Sequence, residues 1–221
     1  MSFTLLFAFS SLAMAQTNKT ERLARTIREL LDPRRYDYLE TPHEAFHPPI
    51  EGPVAISVGL YIESIGEFEE QSMDYVLDFL LRIEWTDQRL AHGYSRIFRT
   101  NSRHIERLLW QPDIVLLEAK QANFHDVPIP SLSIRIYPNG KVWMSRRIRA
   151  VMSCFMDLVY FPADQQICPV TVDADTTDRA YLRWMDDNYT LFFSKSVKIP
   201  DYYLKKDPEY GICDGYYPGG N

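Results

Sequence analysis

The chain has 221 residues, room for one large domain or two small ones, and 46% of them are hydrophobic, enough for a full core. A formal charge of −6 argues against nucleic acid as a partner. Fourteen prolines against nine glycines predict many short elements with stiff connections.

Residues 1–15 read as a signal peptide. Leu5-Leu6-Phe7-Ala8-Phe9 is the apolar stretch, and Ala13-Met14-Ala15 is a small-residue cleavage site before Gln16. The apolar run is too short to span a bilayer. Secretion permits disulfides and gives meaning to two glycosylation sequons, at Asn18 and Asn188. No later segment approaches eighteen apolar residues.

Thr20 to Leu31 is predicted as a helix, because Leu23, Ile27, Leu30 and Leu31 make one apolar stripe. Asp32-Pro33 ends it. Residues 36–52 are expected to be extended. From Pro53 the signal turns to β: Val54, Ile56, Val58, Leu60 and Ile62 alternate with other residues. Next, Met73, Tyr75, Leu77, Phe79, Leu81, Ile83 and Trp85 take one face of a half-buried strand. That alternation puts Arg82 on the outer face. Leu132, Ile134 and Ile136 lead into a turn at Pro138-Asn139-Gly140, and a return strand runs from Lys141 to Cys154. On it Trp143, Ser145 and Arg147 share a face, opposite Val142, Met144 and Ile148. Further short strands are predicted near 168–174, 179–184, 190–199 and 201–206. Many short strands between turn signals predict an all-β sandwich.

No catalytic set emerges. The five histidines, His43, His47, His92, His104 and His125, form no pair at metal-ligand spacing. No Gly-rich phosphate loop or G-x-S-x-G elbow is present. Asp173-Ala174-Asp175 lacks the Gly and terminal Glu of a calcium loop. The expectation is a chain that is not an enzyme and takes no metal or cofactor.

Thirteen residues separate Cys154 from Cys168, and Phe161-Pro162-Ala163-Asp164-Gln165-Gln166 lies between them. One disulfide can close such a segment, and a loop of roughly 15 residues gains about 3 kcal/mol in the chain-entropy model. This segment closely resembles the signature loop of the Cys-loop receptors, the pentameric neurotransmitter-gated ion channels. Trp85-Thr86-Asp87-Gln88-Arg89-Leu90 resembles the family's W-x-D-x-R-L, and Trp110-Gln111-Pro112-Asp113 its W-x-P-D. Phe124-His125-Asp126, Ile136-Tyr137-Pro138-Asn139-Gly140 and Trp184 also fit, in order, over about residues 50–217.

The resemblance implies an immunoglobulin-like β-sandwich of about ten strands with an N-terminal α-helix. It implies a Cys154–Cys168 disulfide, and core or turn roles for Trp85, Trp110, Pro112, Asp113 and Trp184. Residues 16–221 would be the extracellular neurotransmitter-binding domain at a cell surface, cut before its last strand, with the membrane domain absent. Cys213 would have a partner beyond Asn221, as in the capping-loop disulfide of glycine- and glutamate-gated chloride channels; a free thiol or pairing between chains is the alternative. Partners would be other subunits of a pentamer and a small amino-acid or amine neurotransmitter bound between subunits.

For that ligand the resemblance offers Arg82 as the arginine that holds a carboxylate, a task suited to a guanidinium fork. The plainer role for Arg82 is a surface pair with Asp78 or Glu84. Ser145 stands at the family's hydroxyl position, flanked by Trp143 and Arg147, and Tyr217 matches the aromatic of the capping loop. Two positions depart from the pattern: Asp175 stands where an aromatic normally meets the agonist ammonium, and Val115 where another is common. His125 lacks the companion histidine of a zinc site, since Asn123 is there. The leading reading is therefore one subunit of an anion-conducting, heteromeric channel. A soluble secreted binding protein and an auxiliary subunit that binds no agonist are the alternatives.

Overall fold

Two long strands organise the molecule. Val54–Glu69 (β1) and Asp74–Thr86 (β2) pair antiparallel, and β2 pairs along its full length with a later strand, Lys141–Ser153 (β7). The structure, a computed structural model, describes residues 27–45, 48–161, 163–174, 180–186, 189–194 and 211.

Period two places the core. Along β2, Tyr75, Leu77, Phe79, Ile83 and Trp85 are buried on one face. Along β1, Val54, Ile56, Val58, Leu60 and Ile62 do the same. Met73 falls in the turn before β2, with φ at 52°, rather than in the strand. β1 runs six residues further than the alternation of 54–63 predicts, by means of register shifts at Ile62/Ser64 and Gly66/Glu69. Such bulges let a strand continue after its simple alternation fails.

The other described strands are Phe98–Thr100 (β3), Ile114–Leu116 (β4), Ala119–Phe124 (β5), Leu132–Ile136 (β6), Val172–Ala174 (β8), Ala180–Trp184 (β9) and Leu191–Phe193 (β10). The larger sheet runs β10-β1-β2-β7-β6-β3; β9 lies beside β1, and β5 beside β7. β9 and β10 pair parallel with successive stretches of β1, at Val54–Val58 and Leu60–Ile62. β4 and β8 form a second, two-stranded sheet. This is the expected all-β sandwich with ten described strands. Two apolar clusters fill it, one around Trp85, Phe98 and Trp110, the other around Phe79, Met152 and Cys154.

Of the predicted N-terminal helix, residues 27–30 (α1) are helical, and Ile27 and Leu31 reach the core. Residues 20–26 lie outside the described residues. A second short helix, Arg103–Glu106 (α2), follows β3. The expectation of an extended 36–52 fails over its first part, which folds into turns. Asp32 accepts from the Arg34 N–H, and Thr41 and Glu44 cap each other reciprocally. Such local side-chain bonds favour turns over extended chain. Tyr36 then anchors the segment, donating to Asp87 at 3.1 Å while the Trp110 N–H donates to its hydroxyl oxygen.

The Pro138-Asn139-Gly140 turn forms as predicted. Gly140 has φ at 82°, and a Cβ there would collide with the Asp87 carbonyl. The Asp87 N–H donates to the Gly140 carbonyl at 2.9 Å, which ties this hairpin to the end of β2. Among the predicted later strands, β8, β9 and β10 are found; β8 and β10 are shorter than expected, and β9 fills the described part of its range. The expected strand at 201–206 lies outside the described residues.

Candidate functional site

The outer face of β1, β2, β7 and β6 brings several of the predicted site residues together. Arg82 on β2 stands opposite Ser145 on β7 and Gly59 on β1, and Ser145 stands opposite Ser133 on β6. One row across four strands therefore carries one guanidinium and two hydroxyls. Directly opposed residues on neighbouring strands lie within side-chain reach. Ser145 is only 7% exposed.

The arginines on this face are in contrasting states. Arg147 is paired: its Nε and Nη2 donate to the two oxygens of Asp78 at 2.8 and 2.7 Å, and Nη2 lies 2.8 Å from Glu63. The hydrogen bond to Asp78 raises its pKa and fixes the positive charge. Glu84 is occupied by the Lys141 ammonium at 2.6 Å. Both acids that might have paired with Arg82 are thus taken. Arg82 has no carboxylate partner among the described residues; its guanidinium lies over the Tyr61 ring, 5.2 Å from the centroid. A cation resting on an aromatic face keeps its outward N–H groups available. Trp143 is covered by another cation, Arg135, 4.3 Å from its ring.

Sequence reasoning did not single out Tyr61, Gly59 or Ser133. The alternation of β1 already put Tyr61 and Gly59 on the face that Arg82 occupies. Gly59 has a specific cause, since a Cβ there would run into the Tyr189 carbonyl. The chain after β9 can therefore lie against β1 beside Arg82. Sequence reasoning also left Asp78 on an exposed face, whereas it is 7% exposed beneath Arg147. That burial depends on a residue 69 positions away.

On the opposite sheet, Val115 on β4 pairs with Asp173 on β8 and is partly exposed. Trp110 is buried and meets Trp85 edge-on, with centroids 6.1 Å apart, in a core role. Asp175, Tyr217, Cys213, Asn18 and Asn188 all lie outside the described residues. Among the described residues no group of three or more His, Cys, Asp or Glu side chains could hold a metal.

The Cys154–Cys168 disulfide is formed, with Cα atoms 5.1 Å apart, inside the usual range. Cys154 is buried against Met152 and Phe79, yet the loop it closes exposes several large apolar side chains. Phe155, Val159, Tyr160 and Ile167 are each more than three-quarters exposed. Among the described residues no helix is long and apolar enough to cross a membrane.

The sequence matches known proteins over most of its length. The family model described as the neurotransmitter-gated ion-channel ligand binding domain matches residues 23–210. The human glycine receptor subunit beta is 31% identical over 217 residues, covering 94% of this chain and 41% of that protein. The Caenorhabditis elegans glycine receptor subunit beta-type 4 is 33% identical over 166 residues, 74% of this chain and 35% of that protein. The human gamma-aminobutyric acid receptor subunit rho-3 is 29% identical over 203 residues, 88% of this chain and 44% of that protein. The chain thus spans about two fifths of the length of these relatives. It belongs to the neurotransmitter-gated ion-channel ligand-binding domain family, the Cys-loop receptors.

Proposed function

We propose that this domain serves one subunit of a pentameric, anion-conducting neurotransmitter-gated channel at the cell surface. It lends the Arg82 face, as the complementary side of a cleft between subunits, to a neighbour with an aromatic principal side. The observation that carries this reading is Arg82, a guanidinium with no carboxylate partner among the described residues, on a face where Asp78 is paired with Arg147 and Glu84 binds Lys141 through one oxygen. A ligand carboxylate would complete it through a charge-assisted, two-pronged contact, with the Ser145 hydroxyl beside it. Trp143 and Arg147 would shape that surface rather than grip the ligand, because each already has a partner.

Support for the heteromeric form comes from Val115 and Asp175, which stand where the family's principal side usually has rings. An aspartate can meet an ammonium by charge, in a wetter and less selective site. Tyr217 would supply the one remaining ring on that side. The exposed apolar residues of the 154–168 loop favour a membrane-domain partner over a purely soluble protein. Agonist would act by its differential affinity for the closed and open states.

The reading is tested by expressing the subunit alone and with a partner subunit that has aromatic principal-side residues, and recording currents to glycine, glutamate and γ-aminobutyrate. Current only on co-expression, carried by chloride, is the expected result. A robust homomeric current at micromolar agonist refutes the heteromeric assignment, and a cation-selective current refutes anion conduction.

A further inference from the structure

A polar hollow of 130 Å³ opens on the same outer face, beyond Arg82 towards the end of β2. Its floor is Ala55 and Ser57 of β1 with Thr86 of β2; its sides are Glu84, Arg183 of β9 and His43. The two small β1 residues leave the space, where a larger side chain at the same register would fill it.

The charges around this space are arranged unusually. Ser57 is the direct partner of Arg183 on one side and of Glu84 on the other. With strands about 4.8 Å apart, the Cα atoms of Arg183 and Glu84 lie about 10 Å from each other across β1. They do not pair: Arg183 donates from Nε to the Ser57 hydroxyl at 3.0 Å, and Glu84 binds Lys141 through Oε1. Among the described residues the two terminal nitrogens of Arg183 and the second oxygen of Glu84 have no partner. Two opposite charges, a half-buried Glu84 and an exposed Arg183, thus face a common polar space with unused capacity on each.

We propose that this hollow is a second ligand site, which takes a small zwitterion with one carboxylate and one ammonium, such as a small α-amino acid. Arg183 receives the carboxylate through its terminal N–H groups, Glu84 receives the ammonium, and the Ala55–Ser57 floor limits the size. An anion alone would meet Glu84 unfavourably, and a cation alone would meet Arg183. The site is distinct from the Arg82 contact and stands whether or not Arg82 binds agonist. It is also next to it: Glu84 is two residues along β2 from Arg82, about 7 Å on the same face.

The test is a titration of the isotopically labelled full 221-residue chain with glycine, followed by amide NMR, with acetate and methylammonium as single-charge probes. The expected result is saturable movement of the Ala55, Ser57 and Arg183 amides by glycine. That movement persists in Arg82→Ala and weakens at least about tenfold in Arg183→Ala and in Glu84→Gln. Either single-charge probe binds at least about tenfold more weakly than glycine. Glu84→Gln keeps the side-chain size and carries the test alone if Arg183→Ala does not fold. Glycine that moves none of these amides overturns the proposal. So does acetate binding as tightly as glycine, or movement that disappears in Arg82→Ala and survives in Glu84→Gln.

Discussion

The two sheets of this sandwich offer different kinds of surface. β2 and β7 are paired at thirteen consecutive positions, from Asp74↔Ser153 to Thr86↔Lys141. This long ladder is buried on one face and carries a worked-out arrangement of charges and hydroxyls on the other. Among the described residues the small sheet pairs at three positions, with Val115 beside Asp173. A long ladder fixes side-chain positions well enough to keep one guanidinium open among several that are closed. The short one holds no ring ready at Val115. The contrast is in keeping with the proposal of a domain that contributes one side of a binding cleft and needs a neighbour for the other.

The strongest way to break that contrast is to remove the neighbour. Expressed alone, the subunit is expected to give little or no agonist current, with most of the response restored by a partner with an aromatic principal side. If Val115→Phe together with Asp175→Phe gives the lone subunit a large current, the missing rings are the cause. If it changes nothing while a partner rescues, the defect lies in assembly.

Next in size is the closed network on the long ladder. Arg147→Ala leaves Asp78 buried without its counter-charge, and about 2 kcal/mol of folding stability should be lost, read by urea denaturation. A loss no larger than that of an ordinary surface substitution, under about 0.5 kcal/mol, would mean that Asp78 finds another partner or water.

Smaller again is Ser145→Ala, expected to weaken agonist response by about 1 kcal/mol while the melting temperature holds. An unchanged response with an unchanged fold removes Ser145 from the ligand surface.

The alkaline limb of stability reports on the core rather than the face. Burial, with the charge of Glu118, pushes the Tyr75 phenol up to about 12, and burial with Asp87 also raises Tyr36. The neutral phenols are favoured in the folded state, so their contribution is complete below the ordinary value near 10. It is lost as pH rises through the folded value. Tyr75→Phe should flatten that loss, by about 1 kcal/mol at pH 11. Identical pH profiles for the variant and the parent would show that Tyr75 does not titrate this way.

Much of the architecture was legible in the sequence because it is local. Alternation over Met73–Trp85 and Leu132–Ile136 marks strands without further information, and Pro138-Asn139-Gly140 marks its turn. The short strands β3, β4 and β5 escaped, because three to six residues with mixed burial carry no period. At the site, alternation placed Arg82, Trp143, Ser145 and Arg147 on outward faces. It could not say which arginine is free. That depends on Asp78, Glu63, Glu84 and Lys141 meeting across three strands, and on register that only the folded sheet sets.

Arg82 is proposed as the open carboxylate site, whereas Arg147 is closed in its pair with Asp78. The most direct measurement sets Arg82→Ala against Arg147→Ala in the co-assembled receptor, reading agonist concentration dependence and domain stability together. Arg82→Ala should weaken agonist action by about 1.5–3 kcal/mol, roughly ten- to hundredfold in concentration, and leave stability within about 0.5 kcal/mol. Arg147→Ala should show its main effect on stability. An unchanged agonist curve for Arg82→Ala in a receptor that reaches the surface would contradict the account.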